Sequence, residues 1–223
     1  MQVNAPGLSV QLGGADNSTA LQFFVLLTVL SLVPAILMMV TSFVRITIVL
    51  SFVRNAIGAQ QMPPNQVLLG LALFLTLFVM APTWTRINSD ALQPYLSNQL
   101  SAGDAFDRAS VPLREFMFKQ VRERDLALFI QVGNLPQPQT QADVPTYALV
   151  PAFMISELKT AFQMGFMVLV PFLVIDIVVS SVLMSMGMMM LPPATISLPF
   201  KLLLFVMADG WHLIVRSLIT SFS

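Results

Sequence analysis

The sequence has no cysteine, so disulfides, thiolate metal sites and thiol nucleophiles are excluded. It has one histidine, His212, and a multi-histidine metal centre cannot form within a single chain. Charge is scarce: Asp, Glu, Lys and Arg make up 10% of the 223 residues, against about 25% in an average soluble domain. Eleven basic and eleven acidic residues cancel, which leaves no basic face for nucleic acid. There is no phosphate-binding glycine loop of the P-loop type. What the chain has in quantity is apolar surface: 56% of residues are hydrophobic and the mean hydropathy is +0.79. Such a chain is neither disordered nor an ordinary soluble enzyme domain. It reads as an all-α integral membrane protein with little room for a soluble domain.

The few charges cluster between Arg86 and Asp125, and none lies between Arg54 and Arg86. A helix crossing a bilayer of about 30 Å needs roughly 20 mostly apolar residues. Four stretches meet that length. The first, 20–44, contains Pro34 and should be kinked; the second, 66–84, is introduced by Pro63-Pro64 and closed by Pro82 and Arg86. The third, 160–184, contains Pro171 and Asp176, and the fourth, 199–222, carries Lys201, Asp209, His212 and Arg216. The loop 45–65 holds Arg45 and Arg54 and no acid, so it should face the cytoplasm, with both termini and the central segment outward. Four regions follow: a polar tail over 1–19, a first apolar helical pair over 20–85, a central amphipathic segment over 86–150 and a second apolar pair over 151–223. The tail has no Lys or Arg and so lacks the basic start of a secretory signal.

The central segment is the water-compatible part. Ser89–Leu100 is a weaker helix candidate. Ser110–Val132 is a stronger one, with Ser110 as N-cap and Pro112 in the first turn. Leu113, Phe116, Met117, Val121, Leu128 and Phe129 recur at helical spacing, and Arg122-Glu123-Arg124-Asp125 alternates in sign as a solvated or partner-facing patch does. Either this helix packs on its own chain, or Phe116 and Phe129 meet neighbouring subunits. The stretch 134–145, with Pro136, Pro138 and Pro145, should be a loop.

Six charges sit in or beside the last two apolar segments: Glu157, Lys159, Asp176, Lys201, Asp209 and Arg216. A charge deep in a span costs at least about 2.5–3.5 kcal/mol on insertion scales, so each should find a partner. The leading pair is Glu157 with Lys201. In a simple hairpin through 186–198 these lie at opposite ends, which makes pairing between subunits the more natural form. Asp176 and Asp209 join the same intersubunit set. Asp209, His212 and Arg216 share one helix face, as a salt-bridged surface or a proton relay would.

Met184, Met186, Met188, Met189 and Met190 crowd a short segment containing Gly187 and ending at Pro192-Pro193. Glycine and the two prolines make 184–193 a non-helical loop between apolar helices. Such backbone at membrane depth must be buried in protein or line a pathway. Methionine is unbranched and adaptable. Met186, Met188, Met189 and Met190, repeated around an axis, would form a soft apolar seal, since apolar constrictions gate by dewetting.

Five blocks carry a family resemblance: MMVTSFVRI from Met38, PNQVLLGLALFLT from Pro64, RDLALF from Arg124, PAFMISELK from Pro151, and GMMMLPPATI from Gly187 running on into LPFKL from Leu198. In this order they resemble the FliP family of flagellar export proteins, whose injectisome branch is the nearest competitor. The resemblance implies a helical ring, a pentamer of such chains. The ring is closed by one FliR, FliQ joins it in the export gate, and FlhB and FlhA are further partners. It implies the bacterial inner membrane within the flagellar basal body, with much of the assembly on the periplasmic side. It also implies a channel for unfolded flagellar substrates, without catalysis, cofactor or metal. In this frame Met188, Met189 and Met190 look like the channel gasket, and Glu157 and Lys201 correspond to the family's acidic and basic positions. An ion-coupled small-molecule transporter, coupled through Asp176 and the Asp209 face, is the alternative; it would be expected to show an inverted repeat, and none is evident.

Overall fold

The computed structural model describes residues 4–5, 8–9, 17–58, 62–188 and 190–222. Apart from a two-residue antiparallel ladder, Asn4–Ala5 with Leu8–Ser9, its elements are helical. They fall into two units, 1–37 and 38–223.

The first unit holds the ladder and most of helix α1 (Asn17–Met39). Phe23, Phe24, Leu26, Leu27 and Leu30 on α1 are all exposed. A helix that is apolar all round suits lipid or a protein interior, not water. It runs through position 34 without a break, and the chain leaves helical geometry at 40–42 instead.

The second unit is organised by α2 (Phe43–Ile57), which packs chiefly against α7 (Thr146–Ser185) and α3 (Asn65–Ile87). Ile46, Val49, Leu50, Val53 and Ile57 recur at three- and four-residue spacing and bury one face of α2. Leu68, Ala72 and Leu75 of α3, with Ala161 and Phe172 of α7, close over them. Gly165 allows close approach here: a Cβ at that position would lie 2.5 Å from the ring of Phe52. That ring is also packed edge-on to Phe162 at 5.4 Å.

The α3 helix continues through a π-helical turn (Asn88–Leu92) into α4 (Gln93–Leu96). Where one helix was expected over 110–132, the structure has two, α5 (Ala102–Gln120) and α6 (Glu123–Val132). Ser110 is not a cap. The N-cap is Ser101, whose hydroxyl accepts the Asp104 amide at 3.2 Å, and Pro112 lies inside α5. Between the two helices Val121 and Arg122 are extended, and the freed Arg122 amide donates to Ser156 Oγ of α7 at 3.0 Å. A contact distant in sequence thus sets the break.

The Pro-rich stretch is a loop with one 3₁₀ turn, Gln141–Asp143. Arg114 of α5 ties it down by donating to the Val144 carbonyl at 2.6 Å and that of Gln141 at 3.0 Å.

At 40 residues, α7 is about 60 Å long, twice the thickness of a hydrocarbon core. The expected boundary at 150/151 falls inside it. By length alone, only part of α7 fits within a bilayer. After the methionine segment, α8 (Pro193–Met207) and α9 (Gly210–Thr220) meet at a bend of 62°. Two stretches, Asn65–Leu96 and Thr146–Ser185, are each long and apolar enough to cross a membrane, and up to four spans result if each broken pair counts as one.

Gly165→Ala should destabilise the protein by about 1–3 kcal/mol, the usual cost of overpacking, because the new Cβ would press on the Phe52 ring, which already packs against Phe162 and Phe166. Thermal melting of the detergent-solubilised chain measures this. A variant as stable as the parent would show that the α2–α7 contact is loose.

Candidate functional site

Arg45 is the largest of the fully buried side chains, 2% exposed, and sits inside α2 rather than in the loop expected there. A guanidinium has five N–H donors. Its Nε donates to Glu157 Oε2 at 2.8 Å, and Nη2 to Glu157 Oε1 and to Gln120 Oε1 at 2.9 Å. Nη1 donates to the carbonyl of Ser221 at 2.9 Å and to its hydroxyl at 3.0 Å. The guanidinium also stacks over the Phe222 ring, 3.9 Å from its centroid. One side chain therefore joins α2, α5, α7 and the end of the chain after α9.

The second ion pair links α7 to α8. Lys201 Nζ donates to Asp176 Oδ2 at 2.6 Å, and Ser197 Oγ to Asp176 Oδ1 at 2.6 Å. Asp176 and Lys201 lie almost equally far from Met188 along the chain, so an antiparallel hairpin brings them level. Lys201 also lies beside Gly58, where α2 ends in a left-handed residue. A cation at a helix C-terminus is favourable.

The leading sequence pair does not form within the protomer: Glu157 is taken by Arg45, and Lys201 by Asp176. Arg45, Gln120, Ser197, Ser221 and Phe222 were not singled out from the sequence. The available signal was Arg45 itself, a cation inside the apolar helical period of 43–57. Asp209 is exposed at the α8–α9 bend with φ +49°, and His212 and Arg216 are exposed on α9 beyond it. Under the bend, Phe205 packs against Gly210 and edge-on to Trp211 at 5.3 Å.

Phe116 is buried in its own chain, 5.9 Å from the ring of Phe153 and 6.2 Å from that of Phe222. Phe129 is half-buried on α6. In the charged patch, Asp125 accepts from Ser156 Oγ and from the Arg122 guanidinium, both at 2.6 Å, while Glu123 and Arg124 stay exposed.

The methionine segment starts with a defined helix stop. Gly187, at φ +74°, donates its amide to the Met184 carbonyl at 3.1 Å, and the Met188 amide donates to that of Leu183 at 2.9 Å. This is a Schellman motif, which needs a left-handed residue after the helix end. Met184, Met186 and Met188 are exposed, and Met190 is 99% exposed. Met189 lies outside the described residues.

The architecture is that of an all-α integral membrane protein whose charges in the last apolar segments are partly answered inside the protomer and whose methionine loop is presented outward. A family model, that of the FliP family, matches residues 26–218. The chain is 58% identical over 205 residues to a flagellar biosynthetic protein FliP of Bacillus subtilis, covering 92% of this chain and 93% of that one. It is 54% identical to a flagellar biosynthetic protein FliP of Caulobacter vibrioides over all of this chain and 84% of that one. A flagellar biosynthetic protein FliP of Pectobacterium carotovorum is 56% identical over 94% of this chain and 81% of that one. The chain belongs to the FliP family.

Removing one partner of a buried ion pair leaves an uncompensated charge and costs about 3–5 kcal/mol. Arg45→Met or Glu157→Leu alone should destabilise the protein by about that much, and the double variant by less than either. Denaturation of the three variants side by side tests it; additive losses would mean that the pair is not coupled.

Asp125 gives a pH prediction. Burial pushes its carboxyl up, but hydrogen bonds from Ser156 and Arg122 outweigh burial and hold it below the usual carboxylate range. Its contribution is fully present above the unfolded value of about 3.9 and is lost as pH falls through the lower folded value. The melting temperature of the parent should therefore fall more steeply on acidification than that of Asp125→Asn. Parallel pH profiles would refute this.

Proposed function

We propose that this chain is a channel-forming subunit of the flagellar protein export gate. Several copies, a pentamer in this reading, close a helical ring with FliR, in a gate that also holds FliQ, beside FlhB and FlhA. The ring conducts unfolded flagellar proteins across the bacterial inner membrane. It sits in the flagellar basal body with much of the assembly on the periplasmic side. The role is passive: the chain shapes and seals a conduit and performs no catalysis.

The observation that carries this reading is the methionine segment. Its helix stops at the Gly187 motif and the next begins at Pro192-Pro193, and the methionine side chains described in it are exposed in the protomer. Thioether side chains brought together by symmetry exclude water and ions and deform around a passing polypeptide. Met186, Met188, Met189 and Met190 form this collar.

The internal ion pairs support the same reading. With Glu157, Asp176 and Lys201 answered by Arg45 and by one another, the helices of the second unit are tied together before assembly. Of the charges proposed to pair between protomers, Asp209 is the one exposed at the α8–α9 bend and in no ion pair among the described residues, and half-buried Phe129 is the aromatic proposed to meet a neighbour. Phe116 acts from beneath, by holding α5 against α7 and the chain end.

Alanine at Met188, Met189 and Met190 together should raise ion leakage through the assembled gate, with native mass of the detergent-extracted complex unchanged. Conductance of the assembled variant in planar bilayers is the measurement. An assembled variant as tight as the parent would remove the collar role.

A further inference from the structure

The second unit holds two hydrophobic clusters. One gathers Val49 and Leu50 of α2 with Leu218 of α9. The other gathers Met80 of α3, Phe116 and Met117 of α5 and Phe153 of α7. Phe222, two residues beyond α9, packs against both. Its ring takes the Arg45 guanidinium at 3.9 Å from the centroid and stacks with Phe116 at 6.2 Å.

The polar groups around that ring close on themselves. Arg45 Nη1 donates to the Ser221 carbonyl and hydroxyl, and Nη2 donates to Gln120 Oε1. A guanidinium offers donors only, so the Gln120 carbonyl faces it and the amide nitrogen is left for another acceptor. That acceptor is the Phe222 carbonyl, at 3.2 Å from Nε2. Gln120 is the last residue of α5, next to the extended pair Val121 and Arg122. The end of α5 and residues 221–222 therefore touch Arg45 and also each other.

These contacts are not independent. Without residues 221–222, Nη1 of Arg45 loses both acceptors, Gln120 loses the acceptor of its amide and Phe116 loses its stacked ring. Without the end of α5, Phe222 loses Gln120 and Phe116, and Nη2 of Arg45 loses one acceptor. The Arg45–Glu157 pair needs neither, because Nε and Nη2 reach the carboxylate directly.

We propose that the end of α5 and residues 221–222 dock on the Arg45–Glu157 pair as one cooperative unit, a strap that couples the position of α9 to that of α5. Lifting residues 221–222 frees the end of α5, and freeing α5 loosens the end of α9, since coupling between two sites is reciprocal. The strap is a property of one protomer and does not depend on the ring.

Hydrogen exchange of the full chain in detergent, read by mass spectrometry, tests this. Phe222→Ala should speed exchange over 117–121 by at least about tenfold, the loss of one desolvated cation–ring contact. Gln120→Ala should speed exchange over 217–222 in return. The amides of 46–53 in α2 should keep the parent's rates in both variants. Phe222→Tyr, which keeps the ring, should match the parent. If Phe222→Ala does not fold, Gln120→Ala reads the same coupling from the other side. Unchanged exchange over 117–121 in Phe222→Ala, or over 217–222 in Gln120→Ala, would overturn the proposal, because each part would then dock alone. Equal acceleration over 46–53 would overturn it too, since the variants would then have weakened the whole unit and not the strap.

Discussion

A guanidinium inside an apolar helix bundle has to be answered at every donor, and Arg45 constrains the rest of the second unit for that reason. Glu157 supplies the charge, Gln120 and Ser221 supply the remaining acceptors, and Phe222 covers the flat face. Each acceptor comes from a different part of the chain. Water cannot substitute for any of them at 2% exposure, so the four elements dock together or the charge is stranded. Replacing such a pair by apolar residues is often neutral for stability in other proteins. Its value here is geometric: a hydrophobic contact would let α5 and the chain end slide on α2, whereas a forked donor set admits one register.

Rigidity at Arg45 contrasts with softness at the methionine segment. The two lie at different ends of α7, a helix of about 60 Å. Near the start of that helix, Ser156 and Glu157 are fully buried and fully bonded. At its end, the Gly187 motif stops the helix and leaves methionines facing outward. Between them Asp176 is pinned by Lys201 and Ser197, which fixes the hairpin and hence where the methionine segment is held. The proposed collar would need a support that does not adapt, and α7 connects the two.

Much of this was legible in the sequence. Runs of about twenty apolar residues marked the candidate spans, and glycine followed by paired prolines marked the methionine turn. Those features depend on local chemistry. What was not legible depends on contacts distant in sequence. Arg45 looked like a loop cation because its acceptors lie far along the chain. The Val121–Arg122 break carries neither glycine nor proline and depends on Ser156. The misplaced helix start is a different case. Ser101 and Asp104 have the spacing of a capping pair, and Pro112 drew attention to the wrong serine.

The pairing of charges bears on how such a chain reaches its final state. Asp176 lies within the apolar part of α7, and Lys201 at the matching level of α8. Unpaired, each would oppose insertion; paired, they enter as a neutral hairpin. Pairing within the protomer therefore removes a barrier that pairing between protomers would leave until assembly. The same logic applies to Arg45 and Glu157, whose partners sit on helices of one unit. In the proposed ring, a protomer that has already paired Arg45 with Glu157 and Lys201 with Asp176 would meet its neighbours through apolar surface and through exposed charges such as Asp209. Assembly of the proposed ring would then depend on shape and hydrophobic area more than on desolvating these four ions at the moment of contact.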